Sequence, residues 1–217
     1  MNKTLFRHWQ ENRRFVLFLF LMVVFRSSLA DWNTVPTGSM KPTILEGDRI
    51  WVDKLAYDVR LPLSSISVKH IADPQRGDIV IFRSKFADKR LVKRVLGLPG
   101  ETISMQSNVL SINGNELTYL LEEETAELST AREQYTNLNH LIRIDHRRNS
   151  QLANIEPIVV PAGHYLVLGD NRNNSADSRV IGFVPRHEII GKTTKVVMSL
   201  DYDNDYLPRK GRFLKKL

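Results

Sequence analysis

The chain has 217 residues, 42% hydrophobic and 25% charged, enough for one sizeable domain or two small ones with a real core, and the balance excludes a disordered chain. It contains no Cys, which excludes disulfides, thiolate metal sites and a Cys nucleophile, so covalent catalysis would have to use Ser, Thr, Lys or a carboxylate. The net charge of +7 is concentrated at Lys3, Arg7, Arg13 and Arg14 and at Arg209, Lys210, Arg212, Lys215 and Lys216, clusters that suit an anionic membrane surface, nucleic acid or a solvated end; no helix-turn-helix or aromatic-interleaved basic stripe favours nucleic acid.

Phe15 to Phe25 reads FVLFLFLMVVF, eleven apolar residues without a break. With its basic start and the small residues Ser28-Leu29-Ala30 it fits a cleavable signal peptide. If the helix instead continues to Trp32, with Arg26 snorkelling, it covers roughly 27 Å and fits a membrane anchor. Either way the preceding basic residues hold the N-terminus in the cytoplasm and send the rest across.

From Gly47 onward, short alternating runs separated by turn residues predict an all-β architecture. DRIWVD, Asp48 to Asp53, is one strand. DIVIFR (78–83) and RLVKRVLG (90–97) make a hairpin, LPGE (98–101) turns the chain, and Asn113-Gly114 joins two short strands. Residues 119–157 are acidic and irregular, around Glu122, Glu123, Glu124 and Glu127, with room for a short helix. Roughly 102–160 reads as an insertion into a core that resumes at VPAGHYLVLGD (160–170).

Three stretches carry chemistry. In PTGSMKPT (36–43), two prolines and Gly38 present Ser39 on a constrained loop, either as a surface turn or as a nucleophile, with the Thr37 hydroxyl able to point the same way. On the strand 90–97, alternation places Lys93 on one face with Leu91 and Val95. If that face is buried, desolvation lowers the amine pKa and makes a general base; if it is an edge, the lysine stays charged and deters aggregation. GDNRNNSADSR (169–179) is a loop tied by hydrogen bonds and ion pairs, either a surface loop or part of a site. The six His (8, 70, 140, 146, 164 and 187) show no metal-ligand spacing and read as surface or satisfied polar residues.

Together, FRSSLADWNTVPTGSMKPTILEGDRIWVDKLAYDVRLP, RGDIVIFR, KRVLGLPGE and GDNRNNSADSRVIGFVP closely resemble, in order and content, the bacterial type I signal peptidases, membrane-bound Ser/Lys endopeptidases of preprotein export. The resemblance implies a mainly β fold: an antiparallel catalytic core with an inserted β-rich subdomain at about 102–160, preceded by a single transmembrane helix. It divides the chain into a cytoplasmic basic N-terminus (1–14), an anchor (15–32) and an extracytoplasmic peptidase domain (33–217) of an inner-membrane protein. It implies Ser39 as nucleophile, Lys93 as general base, Thr37 and the Ser39 N–H as oxyanion hole, Ser175 as the residue orienting the lysine, and Asp177 and Arg179 as a supporting pair. It further implies a monomer with no metal or cofactor and no nucleic-acid partner, acting beside membrane lipid on signal peptides and cutting after small residues at the first and third positions before the bond.

Departures from the family pattern are one span where many Gram-negative relatives have two, no disulfide, Asn173 where Asp is usual, Val180-Ile181 where an aromatic is common, and Thr37 for the more frequent Ser. None touches Ser39, Lys93 or Ser175. Two other readings compete. A self-cleaving regulator with related Ser/Lys chemistry would need a DNA-binding domain ahead of the core, where a hydrophobic segment stands instead. A non-enzymatic tethered β module would be marked by loss of Ser39 or Lys93, and both are present.

Overall fold

The computed structural model describes residues 3–64, 66–148 and 150–217, with 3–11 and 150 described by backbone alone. The side chains of Lys3, Arg7 and His8, and the first two residues of the expected 1–14 segment, lie outside the described residues. Helix α1 (Lys3–Ser28) carries the apolar run, whose side chains are largely exposed, Phe20 at 62%. Among the described residues no helix is long and apolar enough to cross a membrane.

The expected continuation of the helix to Trp32 does not occur. Ala30–Thr34 forms strand β1, pairing antiparallel with β2 (Asp48–Asp53) from Ala30↔Asp53 to Thr34↔Arg49. Asp, Trp, Asn and Thr are weak helix formers, and here the free edge of β2 offers their backbone a ladder. Asp31 locks the junction by accepting from Arg26 Nε and from the Trp32 N–H, both at 2.9 Å.

After the small hairpin β3 (Asp58–Arg60) and β4 (Ser67–His70) come β5 (Ile79–Ser84) and β6 (Lys89–Gly97), the predicted hairpin, with Val80 opposite Lys93. The insertion follows as β7 (Thr102–Gln106), β8 (Val109–Ile112), β9 (Asn115–Glu116), β10 (Thr118–Glu124), β11 (Leu128–Tyr135), β12 (Leu138–Asp145) and β13 (Ile155–Val159). Asn113 and Gly114 both have positive φ, 52° and 80°, as their tight turn requires. The acidic stretch expected to leave room for a short helix is instead strand: Glu122 to Glu124 belong to β10, Glu122 pairs across to Arg132, and the helical piece nearby is the 3₁₀ turn Ser150–Ala153. The core resumes with β14 (His164–Leu168), a short helix α2 (Ser178–Ile181), β15 (Val184–Pro185), β16 (Ile189–Asp201) and β17 (Leu207–Pro208).

The main sheet runs β1-β2-β16-β5-β6-β14-β15, with β17 on β16; the insertion forms a four-stranded sheet β13-β7-β8-β9 and a three-stranded sheet β10-β11-β12. β5 is buried on both faces, which is why IVIF reads as a continuous apolar run. Ile79 and Ile81 pack with Val35, Met40, Ile44, Ile50, Val52 and Val196, whereas Val80 and Phe82 pack with Val95, Tyr165, Val167 and Ile189. The first of these clusters seats the segment around Ser39, since full burial of a side chain such as Met40 or Ile44 is worth roughly 1.5–3 kcal/mol. The basic C-terminal cluster is partly structural rather than a solvated end: Arg212 is buried, pairs with Asp48 and donates to the Thr43 carbonyl at 3.0 Å.

Candidate active site

β6 presents Lys93 beneath the loop that carries Ser39, and Lys93 Nζ lies 2.7 Å from Ser39 Oγ. The lysine is 2% exposed, on the apolar face of the sheet with Val80, Phe82, Leu91 and Val95 as the alternation predicts. Burial pulls its pKa from 10.5 down to about 8; the negative charges of Asp177 and Asp170 resist that fall, and Lys89 and Arg179 assist it. Its second hydrogen bond, at 2.9 Å, goes to the Val92 carbonyl.

The Ser39 loop is held from below by the 169–172 segment. The Asn171 N–H donates to the Ser39 carbonyl at 3.1 Å, and Asn171 Nδ2 to the Gly38 carbonyl at 2.9 Å. This close approach explains Gly169, where a Cβ would sit 2.5 Å from the Ser39 carbonyl oxygen and 2.2 Å from Ser175 Oγ. Thr43 Oγ1 donates to Asp170 Oδ2 at 2.5 Å, closing the far side of the loop. Asp170 is in turn gripped bidentately by Arg94 at 2.8 and 2.7 Å. Burial alone would raise the Asp170 pKa, but the Arg94 guanidinium outweighs it and holds the carboxyl below its usual range.

The residues singled out in the sequence fall as follows. Ser39 and Lys93 are brought together. Thr37 is exposed two residues before Ser39. Asp177 accepts from Arg179 Nε at 2.8 Å and Nη2 at 2.6 Å, and also from the Gly169 N–H at 2.9 Å, so this pair braces the segment under the nucleophile. Ser175 is buried beside Gly169, but its expected hydrogen bond to Lys93 is not formed: among the described residues its Oγ has no hydrogen-bond partner, and Lys93 donates instead to the Val92 carbonyl.

Sequence reasoning missed Asp170, Arg94, Asn171 and Thr43. The one available signal was Arg94, a charge on an otherwise apolar strand face, which needs a partner once buried. Among the described residues no group of three or more His, Asp or Glu could hold a metal ion.

The family model described as signal peptidase, peptidase S26, matches residues 8–198. A signal peptidase I from Pseudomonas aeruginosa is 40% identical over 200 residues, 83% of this chain and 69% of the relative. One from Pseudomonas fluorescens is 39% identical over 197 residues, with the same two coverages of 83% and 69%. A crystal structure of a signal peptidase I from Enterococcus faecalis matches at 31% identity over 56% of this chain and 97% of that one, with a TM-score of 0.38. With the family match spanning most of the chain, and relatives aligned over more than two thirds of both lengths, this chain belongs to the signal peptidase I family of S26 serine peptidases.

Proposed function

We propose that the chain cleaves signal peptides from exported preproteins with Ser39 as nucleophile and Lys93 as general base. The observation that carries this reading is the 2.7 Å contact between a hydroxyl and a buried amine whose pKa lies near 8. Neutral Lys93 takes the Ser39 proton as Oγ attacks the scissile carbonyl carbon. The oxyanion forms beside the Ser39 N–H, which no backbone carbonyl among the described residues takes up, and the exposed Thr37 hydroxyl; one such donor is worth ~3–4 kcal/mol. The C–N bond then breaks, and the Lys93 ammonium returns its proton to the departing amine, the new N-terminus of the exported protein. Lys93 next takes a proton from water, whose oxygen attacks the acyl ester, freeing the signal peptide carboxylate and restoring Ser39.

The substrate on this reading is an extended segment lying against core strands, with small residues at the first and third positions before the bond, as the resemblance to the family implies. The helix α1 serves as the anchor in the bacterial inner membrane. Its support is the exposure of Phe15–Val23 and Phe25, with Val24 half-buried, preceded by Arg13 and Arg14, which would keep the N-terminus cytoplasmic and the β domain outside.

The test is the pH dependence of kcat/KM on a preprotein in detergent. Since only the neutral amine accepts a proton, the rate should climb about tenfold per pH unit from pH 6 and level off above the Lys93 pKa of about 8. A flat profile from pH 6 to 9 would rule out the lysine as base.

A further inference from the structure

The insertion contributes nothing to the proton transfers above, yet it buries charge directly behind the site. Glu133 on β11 and Arg172 are both 0% exposed, and Arg172 Nη2 donates to Glu133 Oε2 at 2.6 Å. The other Glu133 oxygen accepts from the Tyr119 hydroxyl on β10, which itself accepts from the Leu110 N–H at 2.9 Å. The carboxylate is therefore tied to β10 through Tyr119, which is itself tied to β8 through the Leu110 N–H.

Arg172 follows Asp170 and Asn171, the residues that grip Thr43, Gly38 and Ser39. β12 stitches the same segment through its backbone, the Arg143 N–H donating to the Asp170 carbonyl at 2.8 Å, and Asn173 Nδ2 reaches the Asp145 carbonyl at 3.2 Å. The Arg172 carbonyl accepts from Arg179 Nη2 at 2.7 Å, which leads back through Asp177 to Gly169. His140 on β12 lies 3.3 Å from Glu133 and 3.7 Å from Asp170; burial keeps its pKa near 4, so it is neutral and leaves the Glu133 charge to Arg172.

A fully buried ion pair is a poor source of stability compared with apolar residues of the same volume, but it supplies a direction that apolar packing does not. Here that direction runs from the insertion to the floor of the Ser39 loop. We infer that Glu133 is a positioning residue: through its ion pair with Arg172, the β10–β12 sheet fixes the 170–172 segment that holds Ser39 against Lys93. This rests on the Ser39/Lys93 reading above and extends it to the insertion.

The test compares Glu133→Gln, Glu122→Gln and Ser39→Ala in the full chain, in detergent, on one preprotein, with the folded fraction of each fixed by thermal melts. Misplacing the loop should lower kcat of Glu133→Gln, per folded enzyme, on the order of ten- to a hundredfold with KM unchanged. Glu122, which pairs with Arg132 on the open face of the same sheet, should tolerate the change with wild-type kinetics. If Glu133→Gln fails to fold, Glu133→Asp retains the charge and should show a kcat loss of roughly threefold to tenfold, again without a KM change. Wild-type kcat in the folded Glu133 variant, a loss confined to KM, or a loss that merely tracks the unfolded fraction would overturn the positioning role. Should Ser39→Ala still cleave, the dyad falls and this role with it; should Ser39→Ala be dead while folded Glu133→Gln matches wild type, only the positioning role falls.

Discussion

Lys93→Met should end preprotein cleavage while making the folded chain more stable at pH 7. The side chain is 2% exposed and its pKa falls from 10.5 to about 8, mainly because burial disfavours the ammonium. At 1.36 kcal/mol per pH unit that difference corresponds to about 3 kcal/mol of stability given up to keep a base in the core. Below about pH 8 folded and unfolded chains both carry the charge, so the penalty is fully present. Between about 8 and 10.5 the folded chain loses its proton first, and stability rises with pH. Met fills a similar volume without charge, so denaturant melts should show the variant ahead at pH 7 and the gap closing toward pH 10.5. On the proposed mechanism the same change removes the base and should cost roughly 10²–10⁴-fold in kcat. Lys93→Arg should fail equally, because a guanidinium does not deprotonate near neutrality, and Ser39→Ala removes the attacking oxygen. Cleavage above a tenth of the wild-type rate in Lys93→Met, or a less stable protein at pH 7, would contradict this reading of the buried amine.

The second large effect is expected from Asp170→Asn. The carboxylate is 1% exposed and holds Arg94 through two bonds and the Thr43 hydroxyl through a third. Removing its charge strands a buried guanidinium, which typically costs about 3–5 kcal/mol. In a domain of this size that lowers Tm by roughly 6–20 °C. Activity should fall too, because Thr43 and the carbonyls of Ser39 and Gly38 are anchored through the same segment. The double change Arg94→Met with Asp170→Leu should recover much of the lost stability, since it removes both charges together, and leave cleavage impaired. Full activity in the double variant would show that the pair serves only the fold.

These two residues also mark where the sequence stopped being readable. The β5–β6 hairpin, the alternation placing Lys93 between Leu91 and Val95, and the Asn113-Gly114 turn are local patterns, and the structure reproduces each. The stiff, glycine-flanked loop around Ser39 was equally legible. What escaped was long-range pairing: Thr43 with Asp170, Arg94 with Asp170, and Glu133 with Arg172 join positions 127, 76 and 39 residues apart, and no periodicity encodes such partners. The end of α1 was misplaced for a related reason. The length that a membrane anchor needs suggests a helix running on to Trp32, whereas the free edge of β2, distant in sequence, draws Ala30–Thr34 into a strand. Ser175, expected to hydrogen-bond Lys93, has no hydrogen-bond partner at its Oγ among the described residues, and the Lys93 amine instead donates to the Val92 carbonyl on its own strand.

The account stands on the protonation state of one nitrogen. Titrating the Cε/Nζ resonances of Lys93 by NMR in protein carrying isotope-labelled lysine, with Lys93→Met to assign the signal, reads that state directly. The expected midpoint is about 8. A midpoint near 10.5, the ordinary lysine value, would mean that the amine is charged at working pH and is not the base.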